Sequence, residues 1–177
     1  MSSKYNNKQT SFGLWLLPVA GALLTGCAAQ TPSAPPMSDQ AAAFVSDSRA
    51  EMREDKVLVI NQAMELSPED PQSKAFWHEY YQYEAELKLV NDDRVQLIRD
   101  YEYNYDKMNN DIANNLAERA LALHKKKLEL LDKYYHKLKK ATTPIIAARF
   151  TQVEHQLNLL VDIEIASQMP LLTKGQQ

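Results

Sequence analysis

The chain holds a single thiol, Cys27, and four imidazoles, His78, His124, His136 and His155, the side chains best suited to act as nucleophiles or metal ligands. Their spacing argues against both uses. A zinc site on one helix needs ligands four residues apart, as in an HxxxH or HExxH pattern, and no such pair occurs. His78-Glu79 and Glu154-His155 are sequence neighbours, which point in different directions on a helix, so a metal site would have to combine helices or chains. No Ser, His and acid combination has the spacing of a recognisable catalytic set. Three of the four glycines, Gly13, Gly21 and Gly26, precede Cys27, and Gly175 lies near the other end. The region between lacks the glycines that a phosphate-cradling loop or a nucleophile elbow requires, which effectively excludes dinucleotide-binding and hydrolase folds. The expectation is a protein that is not an enzyme, with no catalytic residue, no cofactor and no metal.

What remains is chemistry of contact. Phe76, Trp77, Tyr80, Tyr81 and Tyr83 crowd into one short stretch, Tyr101, Tyr103 and Tyr105 alternate further on, and Tyr134 and Tyr135 are adjacent. Alternate tyrosines on a helix cannot all face one core. Either the core faces are wide and a few rings snorkel, or some rings form a dimer or client-binding surface, a role that suits a large ring with a polar tip. Lys125, Lys126 and Lys127 open a lysine-rich stretch that can meet acidic clients, anionic lipid or an acidic arm of the same chain, the last being favoured. Trp77, Tyr80, Tyr81, Lys125, Lys126 and Lys127 are the candidate partner-binding residues.

The surroundings of Cys27 give it a different role from catalysis. Lys4 and Lys8 precede an uncharged run from Phe12 to Leu24, the layout of an export signal and too short to span a bilayer comfortably. Leu24-Thr25-Gly26-Cys27 resembles the lipobox of bacterial lipoproteins. That resemblance implies that residues 1–26 are removed and that Cys27 is acylated and begins the mature chain. Several acyl chains hold a protein stably where one would not. Ala28, rather than Asp, after the cysteine implies, by similarity to Gram-negative lipoproteins, the periplasmic face of the outer membrane. With Cys27 acylated no thiol is left for a disulfide. Removal of residues 1–26 leaves 18 basic against 23 acidic residues, a formal charge of −5, which gives no nucleic-acid footprint.

Composition and periodicity then divide the chain. After Cys27, residues to 40 carry Pro32, Pro35 and Pro36 among small polar residues and read as a tether. Residues 41–170 form one all-α domain of four helices dominated by a long antiparallel hairpin, and 171–177 a flexible tail. The first segment, about 41–66, is loosely periodic. Ser67-Pro68-Glu69-Asp70 predicts the second helix start, with Ser67 as N-cap, Pro68 in the first helical position and Asp70 as the capping-box acid. Phe76, Tyr80, Tyr83, Leu87, Val90, Arg94, Leu97, Tyr101 and Met108 form its stripe. Asn109-Asn110-Asp111 is the expected turn, because these side chains compete with the helix backbone. The third helix carries Ala117, Leu121, His124, Leu128, Leu131, Tyr135 and Leu138. Antiparallel pairing about that turn sets His124 level with Arg94, a cationic spot in the seam. Thr143-Pro144 repeats the cap-and-proline start for a fourth helix, which Pro170 ends.

Charge agrees with the hairpin. Residues 65–111 hold 12 acids against five bases, while 125–140 hold seven lysines against Glu129 and Asp132. This layout resembles the Spy/CpxP family of periplasmic helical proteins, which has four helices, a long central hairpin and two Leu-Thr-x-x-Gln signatures at helix starts. Leu66-Ser67-Pro68-Glu69 matches the first signature in part, with Asp70 in place of glutamine, and only Thr143-Pro144 matches the second. The resemblance implies a holdase-like envelope-stress factor that binds unfolded or envelope proteins. An accessory lipoprotein with one dedicated partner, a homodimer and a periplasmic metal-binding protein are the alternatives.

Overall fold

The computed structural model describes residues 31–36 and 54–172. The expected leader, Cys27, residues 37–53 and the last five residues of the tail lie outside the described residues. All regular elements described are helical. They are α1 (54–64), α2 (Pro71–Asn104), a 3₁₀ turn at Tyr105–Lys107, α3 (Asn110–Ala141) and α4 (Pro144–Gln168). At 34 and 32 residues, α2 and α3 are each about 50 Å long and form the expected hairpin. Among the described residues no helix is long and apolar enough to cross a membrane.

The caps explain the boundaries. α1 ends at Glu65, which takes the left-handed conformation at φ 51° and donates its N–H to Asn61 O at 3.3 Å. α2 starts three residues later than Ser67 predicts. Asp70 is its N-cap, accepting from the Gln72 amide at 2.8 Å, with Pro71 in the first turn. The physical reason is Pro71. Capping at Ser67 would place this proline at the position whose N–H closes the first helical bond, whereas directly after the cap no N–H is needed. The turn is closed instead by the Asp70 amide on Ser67 O at 3.0 Å. The other two starts are as expected. Asn109 accepts from the Ile112 amide at 3.0 Å and Thr143 from the Ile146 amide at 3.3 Å.

Two apolar cores lie at opposite ends of the hairpin. The larger joins all four helices: Ile60 and Met64 of α1, Phe76, Tyr80, Tyr83, Leu87 and Val90 of α2, Leu130, Tyr134 and Leu138 of α3, and Ala147 and Phe150 of α4. Its rings meet edge to face, as with Tyr83 and Phe150 at 5.2 Å between centroids and 88° between planes, geometry that adds about 0.5–1.5 kcal/mol per pair to simple burial. The smaller core, Met108, Ile112 and Leu116 with Leu97 and Tyr101, closes the elbow. Opposite charges face each other along the hairpin, with Lys137–Glu79 at 3.1 Å, Lys133–Glu86 at 2.7 Å and Lys126–Asp93 at 2.9 Å.

Residues 31–36 are not free of the helices. The Ala34 amide donates to Asp100 Oδ1 at 2.8 Å, Asn104 Nδ2 to the Pro32 carbonyl at 2.7 Å, and the Arg99 guanidinium to the Pro35 carbonyl. Part of the expected tether is thus a strap laid on the elbow end of α2.

Candidate functional site

The candidate residues separate into different environments. Tyr80 is fully buried, at 0% exposure, between Phe76, Tyr83 and Phe150, so its ring belongs to the core and not to an accessible surface. Phe150 of α4 packs against the ring. Trp77 is half-buried, and Tyr81, 56% exposed, leans on it with centroids 5.6 Å apart. The three lysines diverge because consecutive helical positions differ by about 100°. Lys125 is exposed and lies 3.8 Å from Glu129, Lys126 reaches Asp93 on α2, and Lys127 turns inward, half-buried. Lys126 meets α2 at Asp93, twelve residues or about 18 Å of helix from Tyr81. The aromatic and basic candidates therefore do not form one patch.

Lys127 leads to a feature that the sequence does not announce. From Val90 to Met108 the hairpin is open on one side into a cleft of about 310 Å³, walled by Leu97, Tyr101, Leu116 and Ala120, with Ile165 and Met169 from α4. A second cleft of about 550 Å³ runs between α1, α2 and α4, past Val59, Leu87, Val95, Leu157 and Val161. The two share Asn91, Arg94, Ile98, Lys127 and Ile165, so they adjoin as a mainly apolar groove with Arg94 and Lys127 at the join and Asp55, Glu84 and Asp92 on the wall of the second cleft. Arg94 is held by Asp162 of α4 at 2.6 Å. Burial holds the Lys127 ammonium below its ordinary value, Asp162 partly opposing this and Arg94 adding to it. The expected cationic spot opposite Arg94 is built by Lys127; His124 also lines the cleft but is exposed.

The groove is flanked by a buried ion cluster. Glu154 of α4 is fully buried, with Lys56 Nζ 2.9 Å from Oε1 and 3.0 Å from Oε2, and Tyr83 OH donating to Oε2 at 2.9 Å. Lys56 also reaches Glu84 at 2.6 Å. Burial pushes the Glu154 carboxyl above its ordinary value, although Lys56 draws it back. At the elbow, Asp100 is buried too, accepting from Ala34, from Gln96 at 2.8 Å and from Arg119 at 2.7 Å. Neither acid stands out in the sequence as a site residue. Glu154 does follow Ala147 and Phe150 at helical spacing, a signal of burial, whereas Asp100, one turn before Asn104, carries none.

The histidines do not converge. His78 lies 2.8 Å from the Gln82 side-chain nitrogen and His136 3.6 Å from Asp132. Among the described residues no three His, Cys, Asp or Glu side chains gather as a metal-sized cluster. No protein-family model matches the chain, and neither a curated protein nor a solved structure does so.

Proposed function

We propose that the protein is a lipid-anchored helical protein of the periplasmic face of the outer membrane, which binds extended segments of other proteins without chemistry, in the manner of the Spy/CpxP family. One observation carries the binding part: the apolar groove with Arg94 and Lys127 at its midpoint. Apolar walls accept side chains of a partly unfolded client at about 25 cal/mol per Å² removed from water, so burial rather than charge drives the binding. Leu160, which lines the second cleft, is 65% exposed, and Ile163, three residues further along α4, is 66% exposed. Apolar surface of this kind marks an interaction site when it is contiguous. The lipid anchor rests on Leu24-Thr25-Gly26-Cys27 and the uncharged run before it.

The test is suppression of aggregation of a chemically unfolded protein by the chain from Ala28 onward, at low and high salt. The proposal expects suppression near equimolar ratio. It also expects Leu160→Asp/Ile163→Asp to raise the half-effective concentration about tenfold, the equivalent of 1.4 kcal/mol, while helicity is kept. Failure of a well-folded protein to suppress aggregation would overturn the holdase reading and favour one dedicated partner, seen as a single stoichiometric complex on crosslinking.

A further inference from the structure

The geometry points to the elbow of the hairpin as a membrane-facing surface, where Tyr103, Lys107 and Leu171 rest on a zwitterionic lipid interface while residues 31–36 hold the elbow in place. This inference builds on acylation of Cys27 as proposed above.

Chain length sets the reach. The Pro32 carbonyl accepts from Asn104 and the Ala34 amide donates to Asp100, and both partner side chains are buried. Four residues lie between Cys27 and Pro32, so the five Cα-to-Cα steps span about 18 Å at most even when fully extended. An acylated Cys27 therefore keeps the elbow within that distance of the lipid surface. A free tether of the whole Pro-rich segment would allow the domain any orientation; a strap that binds so soon after the anchor does not.

The composition of the elbow agrees independently. Tyr103 is 47% exposed, and Lys107 Nζ lies 3.5 Å from its ring centroid. Tyr101 and Tyr105 donate their hydroxyls to the carbonyls of Pro170 and Leu171 at 2.6 and 3.0 Å, which brings Leu171, 87% exposed, to the same end. Aromatic rings with polar tips, a lysine with a long apolar stem and an exposed leucine are the side chains that settle at a bilayer interface. Glu102, Asp106 and Asp111 are also exposed there, so an anionic surface would repel this end. That is why the partner is zwitterionic lipid.

The test uses the acylated protein in phosphatidylcholine vesicles that contain lipid brominated near the headgroup end of its chains. With residues 1–26 removed, Trp77 is the one indole left, and it lies 26 residues or about 39 Å along α2 from Tyr103. The native protein reports the far end, and Tyr103→Trp/Trp77→Phe reports the elbow. The elbow indole is expected to be quenched about twofold, as befits a ring within about 5–10 Å of the headgroup boundary, and Trp77 to be unaffected. Equal quenching at both ends, or none at the elbow, overturns the proposal. Mass spectrometry of the same sample separates the two readings. An unmodified Cys27 overturns the anchor and this proposal together, whereas an acylated Cys27 with an unquenched elbow overturns only the orientation.

Discussion

Glu154 and Asp100 are both buried carboxylates, yet their surroundings push them in opposite directions. Burial raises Glu154 above its ordinary value of 4.5. Its folded form therefore holds the proton more tightly than the unfolded chain, and this contribution is lost as pH rises through the window above 4.5. Lys56 limits the loss by its ion pair. Lys56→Met is thus expected to cost about 3 kcal/mol at pH 7, because it leaves an uncompensated buried charge. The cost should be smaller at pH 5 than at pH 7, because burial holds the carboxyl above its ordinary value and favours its protonated form as pH falls, and Glu154→Gln in the same chain should restore most of it. Urea unfolding at the two pH values decides this; equal losses at both would show that the charge is not the cause. In Asp100 desolvation is outweighed by the Ala34 amide, Arg119 and Gln96, which hold the carboxyl below its ordinary 3.8. Its contribution is present above that value and is lost as pH falls through the folded pKa. Asp100→Asn should therefore release the strap at neutral pH, read as faster hydrogen exchange at the Ala34 amide. The native protein should show the same release only below about pH 3.8.

At the scale of elements, the chain follows its caps wherever a cap stands alone, as at Asn109 and Thr143. The start of α2 offered two prolines and two capping residues, and hydrogen-bond geometry around Pro71 chose Asp70 over Ser67. Periodicity located the stripes but could not rank neighbours on them. Tyr80 and Tyr81 are about 100° apart on α2, and which ring turns inward depends on where α4 lies. The groove was illegible for a related reason. It exists because Arg94 and Lys127 interrupt apolar packing between the two cores, and a gap between helices leaves no mark in any one of them. Glu65 shows a local conflict that sequence does resolve once the helix end is known. A non-glycine residue in the left-handed region costs about 1 kcal/mol, while its ion pair with Arg149 at 2.8 Å is largely exposed and contributes about 0–1 kcal/mol. Glu65→Gly should therefore be neutral to stabilising by about 0.5–1 kcal/mol, and Glu65→Val clearly destabilising, both measured by thermal unfolding.

For the whole molecule the question is what holds the helices together, the charges facing across the hairpin or the aromatic end where α4 joins it. The charges are conspicuous in sequence, yet Lys126 and Asp93, or Lys133 and Glu86, remain roughly half exposed in their pairs. Such pairs contribute about 0–1 kcal/mol each and are screened at 1 M salt, where the Debye length is about 3 Å. Phe150 is fully buried and meets Phe76, Tyr80 and Tyr83 edge to face. Its truncation to alanine removes about 3–5 kcal/mol through lost burial and the cavity left behind. The charges then act on register, because a slip of α3 along α2 would break Lys137–Glu79, Lys133–Glu86 and Lys126–Asp93 together. The expected outcome is that 1 M salt lowers the unfolding free energy by less than about 2 kcal/mol, whereas Phe150→Ala lowers it by at least about 3. Should salt prove the more damaging of the two in parallel urea titrations, the helices would be held together by their fields and not by their rings. The groove between the cores would then be expected to widen with ionic strength.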